Sequence, residues 1–83
     1  MNEKSCRVLF FGPAREAAGR EVMDVPVRPG LTISDLWKTL QADHSDLQSL
    51  RGVRLAKNHV YAADHDPVVA SDEIAVIPPV SGG

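Results

Sequence analysis

The chain has 83 residues, 43% hydrophobic and 24% charged, with nine basic and eleven acidic side chains and a formal charge of −2. That is one small globular domain with a modest core, and its charge balance argues against the basic face of a nucleic-acid binder. A single cysteine excludes a disulfide framework, a cysteine-rich zinc site and a cysteine-ligated iron–sulfur cluster.

Near the start there is only a short apolar run, Val8 to Phe11. It lacks the long apolar region and cleavage site of a signal peptide, and no run approaches the ~18 residues of a membrane helix. A cytoplasmic domain without membrane contact is expected. Residues 5–11, with branched and aromatic side chains, read as a first strand. Gly12-Pro13 breaks it, and Pro13 to Ala18 reads as a short helix with proline at its start and Gly19 just past its end. Residues 21–27 read as a second strand with Met23, Val25 and Val27 on one face. Pro26 removes a ladder donor there. A short connection between the two strands points to an antiparallel hairpin.

Pro29-Gly30 marks a turn before the strongest helical signal. Thr32 and Asp35 have the spacing of an N-terminal capping box. Ile33, Leu36, Trp37 and Leu40 form one stripe at i, i+3, i+4 and i+7, placing a helix over 33–43. Leu47 and Leu50 indicate a further short turn ending near Gly52. Short strands are read over 53–57 and 60–63, around Asn58-His59. Asp64 to Pro67 is a loop, Ser71-Asp72 a turn and Glu73 to Ile77 the last strand. A single amphipathic helix needs a sheet face to bury its stripe. The expected fold is α+β: a β-grasp, or ubiquitin-like, roll in which a mixed sheet packs on one main helix over residues 1–78.

After Ile77 the sequence runs Pro78-Pro79-Val80-Ser81-Gly82-Gly83. Two consecutive prolines donate no backbone hydrogen bonds and stiffen an extended exit. Gly82 and Gly83 offer no side chain to obstruct another backbone. Residues 79–83 are read as a slim, flexible tail spanning at most roughly 16–18 Å. Its reactive group is the Gly83 α-carboxylate, ionised at neutral pH. A carboxylate is a poor electrophile until it becomes an acyl-adenylate. Sulfur delivered to that carbonyl gives a thiocarboxylate, a soft nucleophile on a slender arm. The domain then carries a reactive atom without catalytic side chains of its own. By chance alone about 0.5% of chains end in Gly-Gly, so the tail gains its meaning from the Pro-Pro exit and the single-helix domain that precede it.

Phe10-Phe11 followed by Arg15-Glu16, Asn58 after the third strand, and Asp72-Glu73 leading to the Ile77–Gly83 terminus resemble the small subunit of molybdopterin synthase, a family of sulfur carriers. The resemblance implies activation of Gly83 with ATP and Mg²⁺ by an adenylyltransferase related to ubiquitin-activating enzymes. It implies sulfur drawn from cysteine through a desulfurase, and no permanently bound cofactor or metal. Pro79, Val80, Ser81 and Gly82 would enter the active site of the large synthase subunit, where sulfur passes to cyclic pyranopterin monophosphate. The assembly implied is a heterotetramer. Partner-binding residues carried over from the pattern are Phe11, Tyr61 and Ile77 on an outer apolar patch, with Arg15 adding a polar contact nearby. Tyr61 and Ile77 differ in type from the pattern's bulky residues but remain apolar. The rival readings are a carrier for thiamine, tRNA thiolation or amino-acid biosynthesis, or a passive β-grasp interaction module.

Other candidates are set aside. Cys6 is alone and reads as a small buried hydrophobe rather than a sulfur relay. His44, His59 and His65 lack metal-ligand spacing. Asp43, Asp46 and Asp72 read as cap and turn residues. Trp37 belongs to the core stripe, and Lys57 reads as a solvated strand lysine.

Overall fold

In the computed structural model, which describes residues 4–79, Thr32 and Asp35 close the N-terminus of the main helix reciprocally. The Thr32 Oγ1 accepts from the Asp35 N–H at 3.1 Å, and the Thr32 N–H donates to Asp35 Oδ2 at 3.2 Å. This capping box starts helix α2, Ile33–Asp43, where the spacing predicts it. Ile33, Leu36 and Leu40 are buried on its inner face, and Trp37 packs partly buried at the rim of the core. Helix α1, Pro13–Ala18, begins on its proline and ends on Gly19 in the left-handed conformation. A 3₁₀ turn over Ser45–Ser49 buries Leu47 completely.

The strands are β1 (Ser5–Phe10), β2 (Val22–Pro26), β3 (Arg54–Lys57), β4 (Val60–Tyr61) and β5 (Glu73–Ile77). They form one mixed sheet in the order β2-β1-β5-β3-β4. The β1–β5 pair is parallel, and the pairs β1–β2, β3–β5 and β3–β4 are antiparallel. This is the expected β-grasp roll. Pro26 is tolerated because β2 is an edge strand.

Alternation decides which side of the sheet meets the helix. Cys6, Val8 and Phe10 of β1 point inward, with Ile74 and Val76 of β5, Val25 of β2 and Leu55 of β3. Each fully buried Val, Leu or Ile among them contributes about 1.5–3 kcal/mol. Cys6 is 1% exposed, and burial pushes its thiol above the ordinary value, which suits a packing residue rather than a nucleophile.

Four strands are shorter than predicted, β1 and β3 by one residue and β2 and β4 by two. β1 stops at Phe10 because Gly12, at φ 53°, turns the chain into α1; the Phe11 and Gly12 carbonyls then accept from Ala14 and Arg15. β4 stops at Tyr61 because the next turn captures its backbone: the Ala63 N–H donates to Asp66 Oδ2 at 2.9 Å. Leu31 and Val68, outside every strand, are also core residues, joined by a Val68 N–H to Leu31 carbonyl bond of 2.9 Å.

Candidate docking face and tail exit

The outward face of the sheet is organised by register. Val22, Leu9, Ala75, Ala56 and Tyr61 stand side by side, one from each strand. On one flank Asp24 and Glu73 oppose Arg7. On the other, Arg54 opposes Ile77. The two alanines form a floor, and the larger side chains around them rise as walls. The result is a groove of about 410 Å³ walled by Leu9, Phe11, Tyr61 and Ile77 and closed at one end by His59 and Glu73.

Three of the four predicted partner residues therefore line one depression. Phe11 is 48% and Tyr61 55% exposed, and Ile77 is half-buried. Large apolar side chains gathered at this exposure on one face mark an interaction surface. The Arg54 guanidinium lies 4.2 Å from the centre of the Tyr61 ring, a cation–π contact. Arg15 sits outside the groove in an adjoining depression of about 290 Å³ that shares Leu9 and Phe11 with it. There its guanidinium pairs with Glu21 at 3.0 Å. Both groups are exposed, so the pair contributes little to stability and both charges remain available to a partner.

Asn58 and His59, between β3 and β4, take φ values of 52° and 75°, the two left-handed residues of a type I′ turn. Asn58 also ties the hairpin to β5. Its Nδ2 donates to Asp72 Oδ1 at 3.0 Å and its Oδ1 accepts from the Glu73 N–H at 2.9 Å. Asp72, nearly buried, accepts in addition from the Val69 N–H at 2.9 Å. This network sets where β5 begins, and hence where Ala75 and Ile77 stand in the groove. Lys57 donates to the Pro67 carbonyl at 2.8 Å, a structural tie rather than a free cation.

The chain leaves the sheet directly beside the groove, since Ile77 is both the last residue of β5 and part of the groove wall. Pro78 is half-buried and Pro79 exposed. Val80, Ser81, Gly82 and Gly83 lie outside the described residues. Among the described residues no three His, Cys, Asp or Glu side chains gather to hold a metal ion, and no helix is long and apolar enough to cross a membrane. The described residues thus offer an exposed apolar face with a Pro-Pro exit beside it.

The sequence matches the model of the ThiS family over residues 8–83. The chain belongs to the ThiS family. A relative of this ThiS-family chain, the molybdopterin synthase sulfur carrier subunit of Arabidopsis thaliana, is 36% identical over 78 residues, covering 93% of this chain and 81% of the relative. The crystal structure of SAMP1 from Haloferax volcanii superposes with a TM-score of 0.84 at 30% identity, covering 95% of this chain and 99% of the other. A chain from the complex of subunits 1 and 2 of the molybdopterin-converting factor of Helicobacter pylori shares the fold, with a TM-score of 0.66 at 23% identity over 95% of this chain and 99% of that one.

Phe11, Tyr61 and Ile77 are legible in the sequence as groove residues, whereas Ala56 and Ala75 are not. Their role comes only from strand register, which places small residues opposite one another at the floor. Nor are Gly12 and Gly52 legible there, since their neighbours lie far along the chain.

Proposed function

We propose that this chain is the sulfur-carrier small subunit of a molybdopterin synthase, loaded and unloaded at the Gly83 carboxyl group. The observation that carries the reading is the position of Ile77. It walls the apolar groove, and the next two residues are the stiff exit toward the terminal glycines. The match to the ThiS family runs through Gly83, and the Arabidopsis relative bears the same functional name.

The carboxylate attacks ATP at an activating enzyme, with Mg²⁺ screening the phosphates, and forms an acyl-adenylate with release of pyrophosphate. Sulfur at the sulfide level displaces AMP, leaving the carbonyl carbon at its original oxidation state. If the donor is a cysteine persulfide, one thiol-dependent two-electron reduction frees the thiocarboxylate. The tail then enters the large subunit, the sulfur displaces an oxygen leaving group (water or the phosphate-ester oxygen) from a carbon of the pterin precursor, and water cleaves the acyl–sulfur bond to return the carboxylate. A dithiolene needs two sulfurs, so two loaded carriers are consumed per product. The outer face docks the large subunit through Phe11, Tyr61 and Ile77, with Arg15 at the rim, in a heterotetramer of two small and two large subunits. The complex that supplied the Helicobacter neighbour is consistent with a large-subunit partner.

Intact-mass measurement tests the reading. After incubation with activating enzyme, ATP, Mg²⁺ and a sulfur donor, the chain should gain about 16 Da as oxygen is exchanged for sulfur. A pull-down should recover the large synthase subunit. Loading without that partner would point to a carrier for another pathway. Failure to load under conditions that load a control carrier would leave an inert interaction module.

A further inference from the structure

The end of β5 is flanked by two loops that belong to its two neighbours. Phe10 of β1 lies beside Val76, and Arg54 of β3 lies opposite Ile77. Gly12 follows β1 by two residues and Gly52 precedes β3 by two, so both stand just beyond Ile77, one on each side. A Cβ built on Gly12 would lie 3.3 Å from Pro78 Cγ, and one built on Gly52 would lie 3.2 Å from Pro79 Cβ. Both glycines also have left-handed backbones, φ 53° and 72°; Gly12, at ψ −132°, occupies a region that L side chains avoid. The walls are firm. The Phe11 N–H donates to the Val76 carbonyl at 3.3 Å, and the Gly12 carbonyl accepts from Arg15 at 2.9 Å.

We propose that Gly12 and Gly52 are positioning residues for the tail: the absent Cβ atoms leave two seats, for Pro78 and Pro79, that fix the heading from which residues 80–83 leave the domain. Successive residues of an extended chain turn to opposite sides, and here successive prolines meet opposite walls. Each proline has a locked φ, so a ring held in a seat transmits its orientation to the next residue instead of losing it to rotation. A carrier whose reactive atom must enter two different active sites gains from an arm that starts in a defined direction. The inference rests on the carrier reading for its purpose, but the seats are a property of this domain alone.

A double-mutant cycle between Gly52→Ala and Pro79→Gly, in the full chain, tests it with two readouts. The first needs no enzyme. A nitroxide on Ser81→Cys broadens nearby domain amides, while Cys6, 1% exposed, escapes labelling. Gly52→Ala should redistribute that broadening when Pro79 is present and leave it unchanged when Pro79 is glycine. The second is single-turnover sulfur loading. Gly52→Ala should slow it between about ten- and hundredfold in the Pro79 background and by less than about twofold in the Pro79→Gly background, with affinity for the large subunit unchanged. Gly12→Ala should shift the broadening in the same way. Equal effects of Gly52→Ala in both backgrounds would mean that Gly52 serves only its own turn, and would overturn the proposal. If the wild-type chain never acquires sulfur the carrier reading falls, and the broadening cycle alone still decides whether the seats aim the tail.

Discussion

Asn58 and Glu73 exchange two hydrogen bonds: the Asn58 N–H donates to the Glu73 carbonyl at 2.8 Å, and the Asn58 side-chain oxygen accepts from the Glu73 N–H at 2.9 Å. The side chain of a turn residue thus stands in for a strand neighbour and completes the ladder at the start of β5. With the Asn58 Nδ2 bond to Asp72, one amide satisfies a carboxylate that is only 9% exposed. Asparagine suits the position twice over, since it tolerates a left-handed backbone and carries both a donor and an acceptor.

Replacing Asn58 with alanine removes both side-chain bonds and strains the turn. The expected destabilisation is roughly 2–4 kcal/mol, combining a lost partner for a buried acceptor with the cost of positive φ. Asn58→Gly should recover about 1 kcal/mol of it by relieving φ alone. Urea unfolding of the three proteins checks the order. If Gly and Ala are equal, backbone strain makes no contribution.

Phe11→Asp puts a charge where the docking reading requires an apolar contact. Affinity for the large subunit should fall by roughly 2–4 kcal/mol, measured by calorimetry. Phe11 is 48% exposed in the isolated domain, so the thermal midpoint should hardly move. Unchanged affinity would remove Phe11 from the interface.

Deleting Gly83, or adding one residue after it, should abolish sulfur loading while leaving the unfolding curve superimposable on that of the wild type. The reason is chemical: on the proposed carrier function the group that takes up sulfur is the Gly83 carboxylate, and either change moves it by one residue. A parallel loss of folding would give the tail a structural role instead.

The α2 cap makes stability depend on pH at its acid end. The backbone hydrogen bond from Thr32, followed by the one from its side chain, holds the Asp35 carboxyl below its ordinary value of 3.8. A folded value below the unfolded one means the contribution is present above the unfolded value and is lost as pH falls through the folded one. Asp35→Ala should therefore lower the thermal midpoint at pH 7, and its gap from the wild type should narrow as pH drops below about 4. A gap that stayed constant down to pH 2 would show that the carboxylate's charge is irrelevant to the cap. Thr32→Ala should cost about 1 kcal/mol at neutral pH.

Much of this architecture is legible because its determinants are local. Pro13 and Gly19 delimit α1, Thr32 and Asp35 open α2, and Asn58-His59 joins two short strands. What escapes a linear reading depends on residues brought together from a distance. The floor made by Ala56 and Ala75 requires knowing that β3 and β5 pair in that register. The burial of Leu31 and Val68 depends on backbone bonds between two segments far apart in the chain, Val68 N–H to the Leu31 carbonyl and Ile33 N–H to the Asp66 carbonyl. Gly12 and Gly52 look like ordinary turn glycines until two prolines are found against them.

The strand at the middle of the sheet is the last one translated among those described. Until the ribosome releases β5, the β1–β2 and β3–β4 hairpins have no common neighbour, and Val8, Phe10 and Leu55 stay without Ile74 and Val76. Such long-range closure is slow and leaves apolar edges open on the nascent chain. The same insertion that finishes the core also brings Ala75 and Ile77 into the groove. An enzyme that reads this face therefore inspects the maturity of the chain before it touches the terminus, without any separate proofreading device.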